Sequence, residues 1–145
     1  VLFSSAGVMI TENDGLRDVR KMGGLAKKMP YTASFSLWGF MNLSGLPPSI
    51  GFFSKLFILL GIAYSFMGRG SWGLLVFALS LISLGITPAY SFVTMKKVFF
   101  GPLGNPTIKE GGLYFLLPMA VIAAFGLLFF LFPNLMLSPL YAYLR

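Results

Sequence analysis

An all-α membrane protein is the fold class that this sequence predicts, on three observations. Of its 145 residues, 57% are hydrophobic and 10% are charged, where an ordinary soluble domain carries about a quarter charged residues. The mean hydropathy is +0.83 and 16 residues are Phe. A chain of this size cannot turn so much apolar surface inward, so most helix faces must meet lipid. The charges, finally, are gathered into short segments separated by apolar stretches long enough to cross a bilayer.

Residues 1–10, VLFSSAGVMI, run directly into the charged segment TENDGLRDVRK. Ten residues cover about 15 Å of helix, half of a hydrocarbon core of about 30 Å. Neither a basic leader nor a small-residue cleavage site accompanies them. The segment reads as the end of a spanning helix whose start lies upstream.

Residues 29–68 carry a single charge, and at 40 residues they exceed the roughly 20 of one straight span. Their middle reads LSGLPPSIG. Pro47 and Pro48 remove two successive amide donors and push the residue before each away from helical geometry, while Gly45 and Gly51 add freedom. The pattern predicts one long helix over 31–67, broken near its centre, with halves at about 31–45 and 51–67. Backbone left unpaired at such a break is tolerated in a membrane only inside protein or beside a wet cavity. Gly45, Pro47, Pro48, Ser49, Gly51 and Ser54 are therefore expected to line a polar site at that depth. Ser36, Asn42 and Ser44 can organise water there, although each also suits interhelical hydrogen bonding.

A further helix is expected over 72–97, kinked at Thr87 and Pro88, with Tyr90 placed either to line a proton path or to pack. The next helix covers 112–132. The segment 134–145, with Tyr141, Tyr143 and Arg145, reads as an interfacial tail, or as a short amphipathic segment against a neighbouring subunit. Trp38 and Trp72 read as membrane or interface anchors.

The net charge of +7 raises nucleic acid as a partner, and placement argues against it. Arg17, Arg20, Lys21, Lys27 and Lys28 share one polar segment, and Lys96, Lys97 and Lys109 lie in or beside another. No basic face is interleaved with accessible aromatics as strand-binding surfaces require. If 29–68 crosses the membrane once, both groups share a side, giving eight Lys and Arg against Arg69 and Arg145 opposite, the bias of cytoplasmic loops. Two crossings give seven against three and a weaker bias. The single crossing puts loops 12–28 and 97–111 in the cytoplasm of a multi-pass protein of the cell (cytoplasmic or inner) membrane, with all four acidic residues on the same side.

Lys55 directly follows the break, in GFFSK. At the centre of a spanning helix a lysine costs about 2.5 to 3.5 kcal/mol by insertion scales. Its two readings are a proton carrier and a side chain that snorkels to the interface. Desolvation disfavours an ammonium and a neighbouring carboxylate favours it, so a lysine held between the two can take up and release a proton. With no Asp or Glu at membrane depth, its charge partner is expected from another segment.

Cysteine and histidine are absent, so disulfides and the common thiolate or imidazole ligands are unavailable. No metal site, cofactor or redox chemistry is expected in this chain itself. RKMGG lacks the strand, spacing and ending of a nucleotide loop and reads as a connection docked on a neighbouring subunit.

The run GLRDVRKMGGLAKKMPYTASFSLWGFMNLSGLPPSIGFFSKLFIL resembles the second-half signature of the antiporter-like subunits. That family is shared by respiratory complex I (its L, M and N type subunits), Mrp sodium/proton antiporters and membrane-bound energy-converting hydrogenases. DVRKMGGL, the GLPP break and GFFSK carry the resemblance, and TPAYSFVTMKKVFFGP is similar to the helix that follows. It implies a protein of about 14 helices with two inverted repeats, each holding a broken helix. This chain would be its C-terminal portion: the end of the eleventh helix, the broken twelfth, the thirteenth and the fourteenth. Lys55 falls where the family has a Lys, or in some members a Glu, that passes protons toward the outer half-channel. Two departures are Leu56, where many members have Asp or Glu, and Ile10 with Thr11, where many have His.

The resemblance implies a proton or sodium/proton translocating subunit that couples redox chemistry or ion exchange to a gradient. Its partners would be the other subunits of the complex, the upstream part of the same subunit, lipid, protons and sodium, with no nucleic acid. The alternative is a structural membrane subunit in which Lys55 only fixes packing. A self-contained channel is disfavoured, because three and a half helices enclose half a pathway. Complex I, Mrp and hydrogenase parents stay equally open.

Overall fold

The computed structural model describes all residues except 14, 16, 21, 67–69, 103–107, 136 and 139–145. The expectations for Lys21, Arg69, Tyr141, Tyr143 and Arg145 thus fall outside the described residues. The described residues are helical, without a strand. The helices are α1 (Leu2–Thr11), α2 (Pro30–Ser44), α3 (Ile50–Phe66), α4 (Ser71–Phe99) and α5 (Leu113–Leu131), with a 3-10 turn at Leu25–Lys27 before α2.

Local chemistry sets the limits of α2. Pro30 opens it, where a missing amide hydrogen is harmless and φ is already helical. Gly45 closes it in the left-handed region, at φ 72 and ψ 36. The amides of Gly45 and Leu46 both turn back to the carbonyl of Met41, at 3.0 and 3.1 Å, a glycine-terminated helix end. The peptide between Pro47 and Pro48 is cis, and α3 starts two residues later.

Helix α2 touches every other helix and the 3-10 turn. α3 and the first half of α4 lie side by side, with Ile58, Leu59 and Ile62 sharing one groove with Val76, Leu79, Ser83 and Leu84. The far end of α4 instead joins the start of α2: Val98 and Phe99 are buried in one cluster with Leu25, Met29 and Ala33. α2 and α3 therefore follow one another along α4, whose 29 residues extend about 43 Å. α5 flanks both, with Gly126 against the Trp38 indole and the Phe130 ring 5.4 Å from that of Phe53. Trp38, in the middle of α2, thus has its indole against α5. Trp72 is exposed at the start of α4. Helix α4 continues through Pro88, with Thr87 and Ser91 bonding back to the carbonyls of Ser83 and Thr87 at 3.2 and 2.9 Å.

Helices α4 and α5 are long and apolar enough to cross a membrane, and only 6% of the most apolar window of each is buried. The core helix of a soluble protein would hide that surface. Burial is concentrated at one end, where Val8, Leu25, Met29, Val98, Phe99, Ile108 and Met119 meet. There the backbones of the two loops touch: a Cβ on Gly23 would overlap the carbonyl of Pro102. The exposed Lys27, Lys28, Lys96, Lys97 and Lys109 gather at this end.

Candidate functional site

The break between α2 and α3 places the residues singled out by the sequence, and two glycines allow the close approach. A Cβ on Gly51 would overlap the carbonyl of Asn42, so only glycine lets the first turn of α3 lie on the last turn of α2. A Cβ on Gly45 would stand 2.5 Å from Cδ of Lys55, so the lysine stem lies over this glycine. Ser49 is fully buried in the junction, its hydroxyl donates to the Met41 carbonyl at 3.3 Å and its main-chain carbonyl accepts the Phe52 amide at 3.1 Å.

Lys55 is half-buried in the second turn of α3. Its ammonium donates to the main-chain carbonyl of Ser44 at 2.8 Å. Ser44 is the last residue of α2, so the cation sits at the negative end of that helix's dipole, on a carbonyl without an intrahelical partner. An ammonium has three donors, and this contact uses one. Among the described residues no carboxylate joins it. Glu110 is bound at the other end of α2, to the Tyr31 amide at 2.8 Å.

The remaining expected residues are less concentrated. Pro47, Pro48 and Ser54 are exposed, and the Ser54 hydroxyl turns back to the Ile50 carbonyl at 3.3 Å. Ser36 and Asn42 likewise donate to the carbonyls of Thr32 and Trp38, at 2.8 and 3.0 Å, the back-bonding usual for short polar side chains in helices. Tyr90 is half-exposed on α4, and the hydrogen bonds at the break do not include it. Among the described residues no cluster of His, Cys, Asp or Glu suits a metal ion.

Sequence reasoning missed two partners. The Ser44 carbonyl was legible only through the glycine after it, which marks a helix end with unpaired carbonyls. The placement of Glu110 had no local signal, since its contacts lie 78 and 79 positions away in sequence.

The family model described as NADH:quinone oxidoreductase/Mrp antiporter, TM matches residues 1–63, a stretch holding DVRKMGGL, GLPP and GFFSK. NADH-ubiquinone oxidoreductase chain 5 of Sus scrofa is 37% identical over 106 residues, covering 73% of this chain and 16% of the relative. The protein of that name from Rhizopus stolonifer is 35% identical over 136 residues, 89% of this chain and 20% of the relative. A Na(+)/H(+) antiporter subunit of Bacillus subtilis (strain 168) is 31% identical over 143 residues, 93% of this chain and 18% of the relative.

The chain belongs to this antiporter-like family. It spans a fifth or less of the length of these three relatives. In this antiporter-like chain the match over residues 1–63 takes in α1, α2, the break and Lys55. Helices α4 and α5 lie beyond it, within the similarity to the B. subtilis protein.

Proposed function

We propose that this chain is the C-terminal part of a proton or sodium/proton translocating subunit in a multisubunit membrane complex, and that Lys55 carries the proton in this half. The observation that supports it most is the position of the Lys55 ammonium, 2.8 Å from the last carbonyl of α2, at the one interruption between two helices that run along α4. On this reading α2 and α3 make one broken crossing, the twelfth of about 14 helices, and α4 and α5 are the thirteenth and fourteenth. The loops around 12–28 and 97–111 face the cytoplasm, in keeping with their basic residues. The upstream part of the subunit supplies the carboxylate and the remaining lysines, other subunits and lipid cover α4 and α5, and any redox chemistry sits in other chains.

Lysine suits this role because its charge can come and go. The Ser44 carbonyl stabilises the ammonium by charge-dipole attraction. Loss of the proton weakens that bond and frees the neutral amine to take a proton from water or an incoming carboxyl. The second reading is a structural lysine that only caps α2, and the same hydrogen bond favours it. Ion flux in inverted vesicles separates the two. Lys55→Met in an assembled complex should lower flux about tenfold or more, a barrier change of 1.4 kcal/mol or above. Full flux in that variant would make the lysine structural.

A further inference from the structure

Glu110 stands in the loop before α5, outside the stretch that matches the family model, and its carboxylate closes the start of α2. One oxygen accepts the Tyr31 amide at 2.8 Å. The other accepts the Thr32 amide at 3.2 Å, the Thr32 hydroxyl at 2.6 Å and the Gly111 amide at 3.3 Å. The first turn of a helix leaves amide hydrogens unpaired, and Pro30 has none to offer. Tyr31 and Thr32 hold the first two, and Glu110 takes both. The N-cap residue Met29 supplies no side-chain cap of its own.

One side of the junction is packed. Met29 and Thr32 are fully buried and Ile108 nearly so, and a Cβ on Gly111 would overlap the Val8 side chain. The carboxylate therefore ties α2 to the α4–α5 loop, with its Thr32 bonds part-buried and its Tyr31 bond open to solvent.

Helix α2 is thus held at both ends by charges from outside it, a carboxylate at its positive end and the Lys55 ammonium at its negative end, as its dipole favours. Its 15 residues separate the two by about 22 Å. Axial shift or rotation of α2 moves the Ser44 carbonyl relative to α3. We propose that Glu110 is a positioning residue for Lys55: pinning the start of α2 to the α4–α5 loop sets where the Ser44 carbonyl meets the ammonium. The transport half of the test rests on the function proposed above, and the labelling half does not.

The test uses the assembled complex carrying Lys55→Cys, labelled with a small cationic methanethiosulfonate and read by mass on the peptide holding position 55, in a stretch of 145 residues without a native cysteine. Adding Glu110→Ala should change the labelling rate at position 55 about five-fold or more, as loss of several charge-assisted bonds implies. Glu110→Gln, which keeps an acceptor oxygen, should change it less. In the Lys55 background Glu110→Ala should lower flux per assembled complex several-fold, with Glu110→Gln recovering part of it. A purely local role would alter assembly while leaving the labelling rate at position 55 unmoved, and that result in Glu110→Ala overturns the inference. Should Glu110→Ala fail to assemble, Glu110→Gln and Thr32→Val decide: unchanged labelling in both overturns it, and a shift in either supports it. If Lys55→Met transports normally, the proposed function fails, while labelling still decides the role of Glu110.

Discussion

Lys55 and Ser44, eleven positions apart, are joined by a hydrogen bond of 2.8 Å from the lysine ammonium to the serine main-chain carbonyl. The bond bridges the end of one helix and the second turn of the next. The break thereby has a cation on its loose backbone, which reduces the cost of a carbonyl without an intrahelical partner. The same contact makes that cost depend on the lysine's charge.

Arginine at position 55 should separate charge from proton release. A guanidinium keeps its charge at every accessible pH, so Lys55→Arg should assemble and still reach the Ser44 carbonyl, yet lose flux about as far as Lys55→Met, roughly tenfold or more. Lys55→Glu should retain part of the flux, because a protonated carboxyl both donates to that carbonyl and titrates. Flux in inverted vesicles, beside a subunit-composition gel, measures all three.

Gly45 should tolerate no side chain. Its φ is 72, a conformation that costs an L-residue about 1–2 kcal/mol, and an added Cβ would press on the Lys55 stem. Gly45→Ala should lower the thermal midpoint of the purified complex and impair flux together. Gly61→Ala is the control: nothing lies within 4 Å of that position, and alanine in a helix interior should be neutral or stabilising by up to about 1 kcal/mol.

Gly51→Ala should be at least as damaging, for a different reason. Its backbone is ordinary helix, but the new methyl would fall on the Asn42 carbonyl, and α3 would have to move off α2. Overpacking of this kind costs about 1–3 kcal/mol. The expected sign is reduced assembly with a displaced break, read as a changed labelling rate at a cysteine placed at position 55.

Sidedness follows from the loops that meet at one end. Cysteines replacing Asp18 and Lys97 should react with an impermeant thiol reagent from the cytoplasmic side, and one replacing Trp72 from the opposite side. Reaction of positions 18 and 72 from the same side would rule out a single crossing for α2 and α3.

The main helices were legible because their signals are local. The apolar runs behind α4 and α5 identify themselves by length and composition, and Gly45 with the two prolines marks where α2 stops. Lys55 stood out as the one charge in its stretch. For Trp38 an aromatic amphipathic side chain suits a membrane interface and a helix contact equally well, and only the fold brings it against Gly126. Ser36, Asn42 and Ser54 were open between water and packing, and each donates to its own helix.

What the sequence by itself determined is what one residue and its near neighbours fix: an all-helical membrane class, the apolar runs of spanning length, and the one lysine that follows the glycine and proline cluster. Backbone conformation at glycine and proline and the transfer of apolar runs into lipid act over a few residues, so they can be read without a fold. Only the tertiary structure decided what Lys55 and Glu110 bind. The ammonium meets the carbonyl of Ser44 because Gly51 lets α3 lie against α2, and the carboxylate meets Tyr31 and Thr32 because the loop after α4 returns beside the start of α2. Hydrogen bonds last over about 3 Å, and residues 78 or 79 positions apart come that close only when the helices between them have packed.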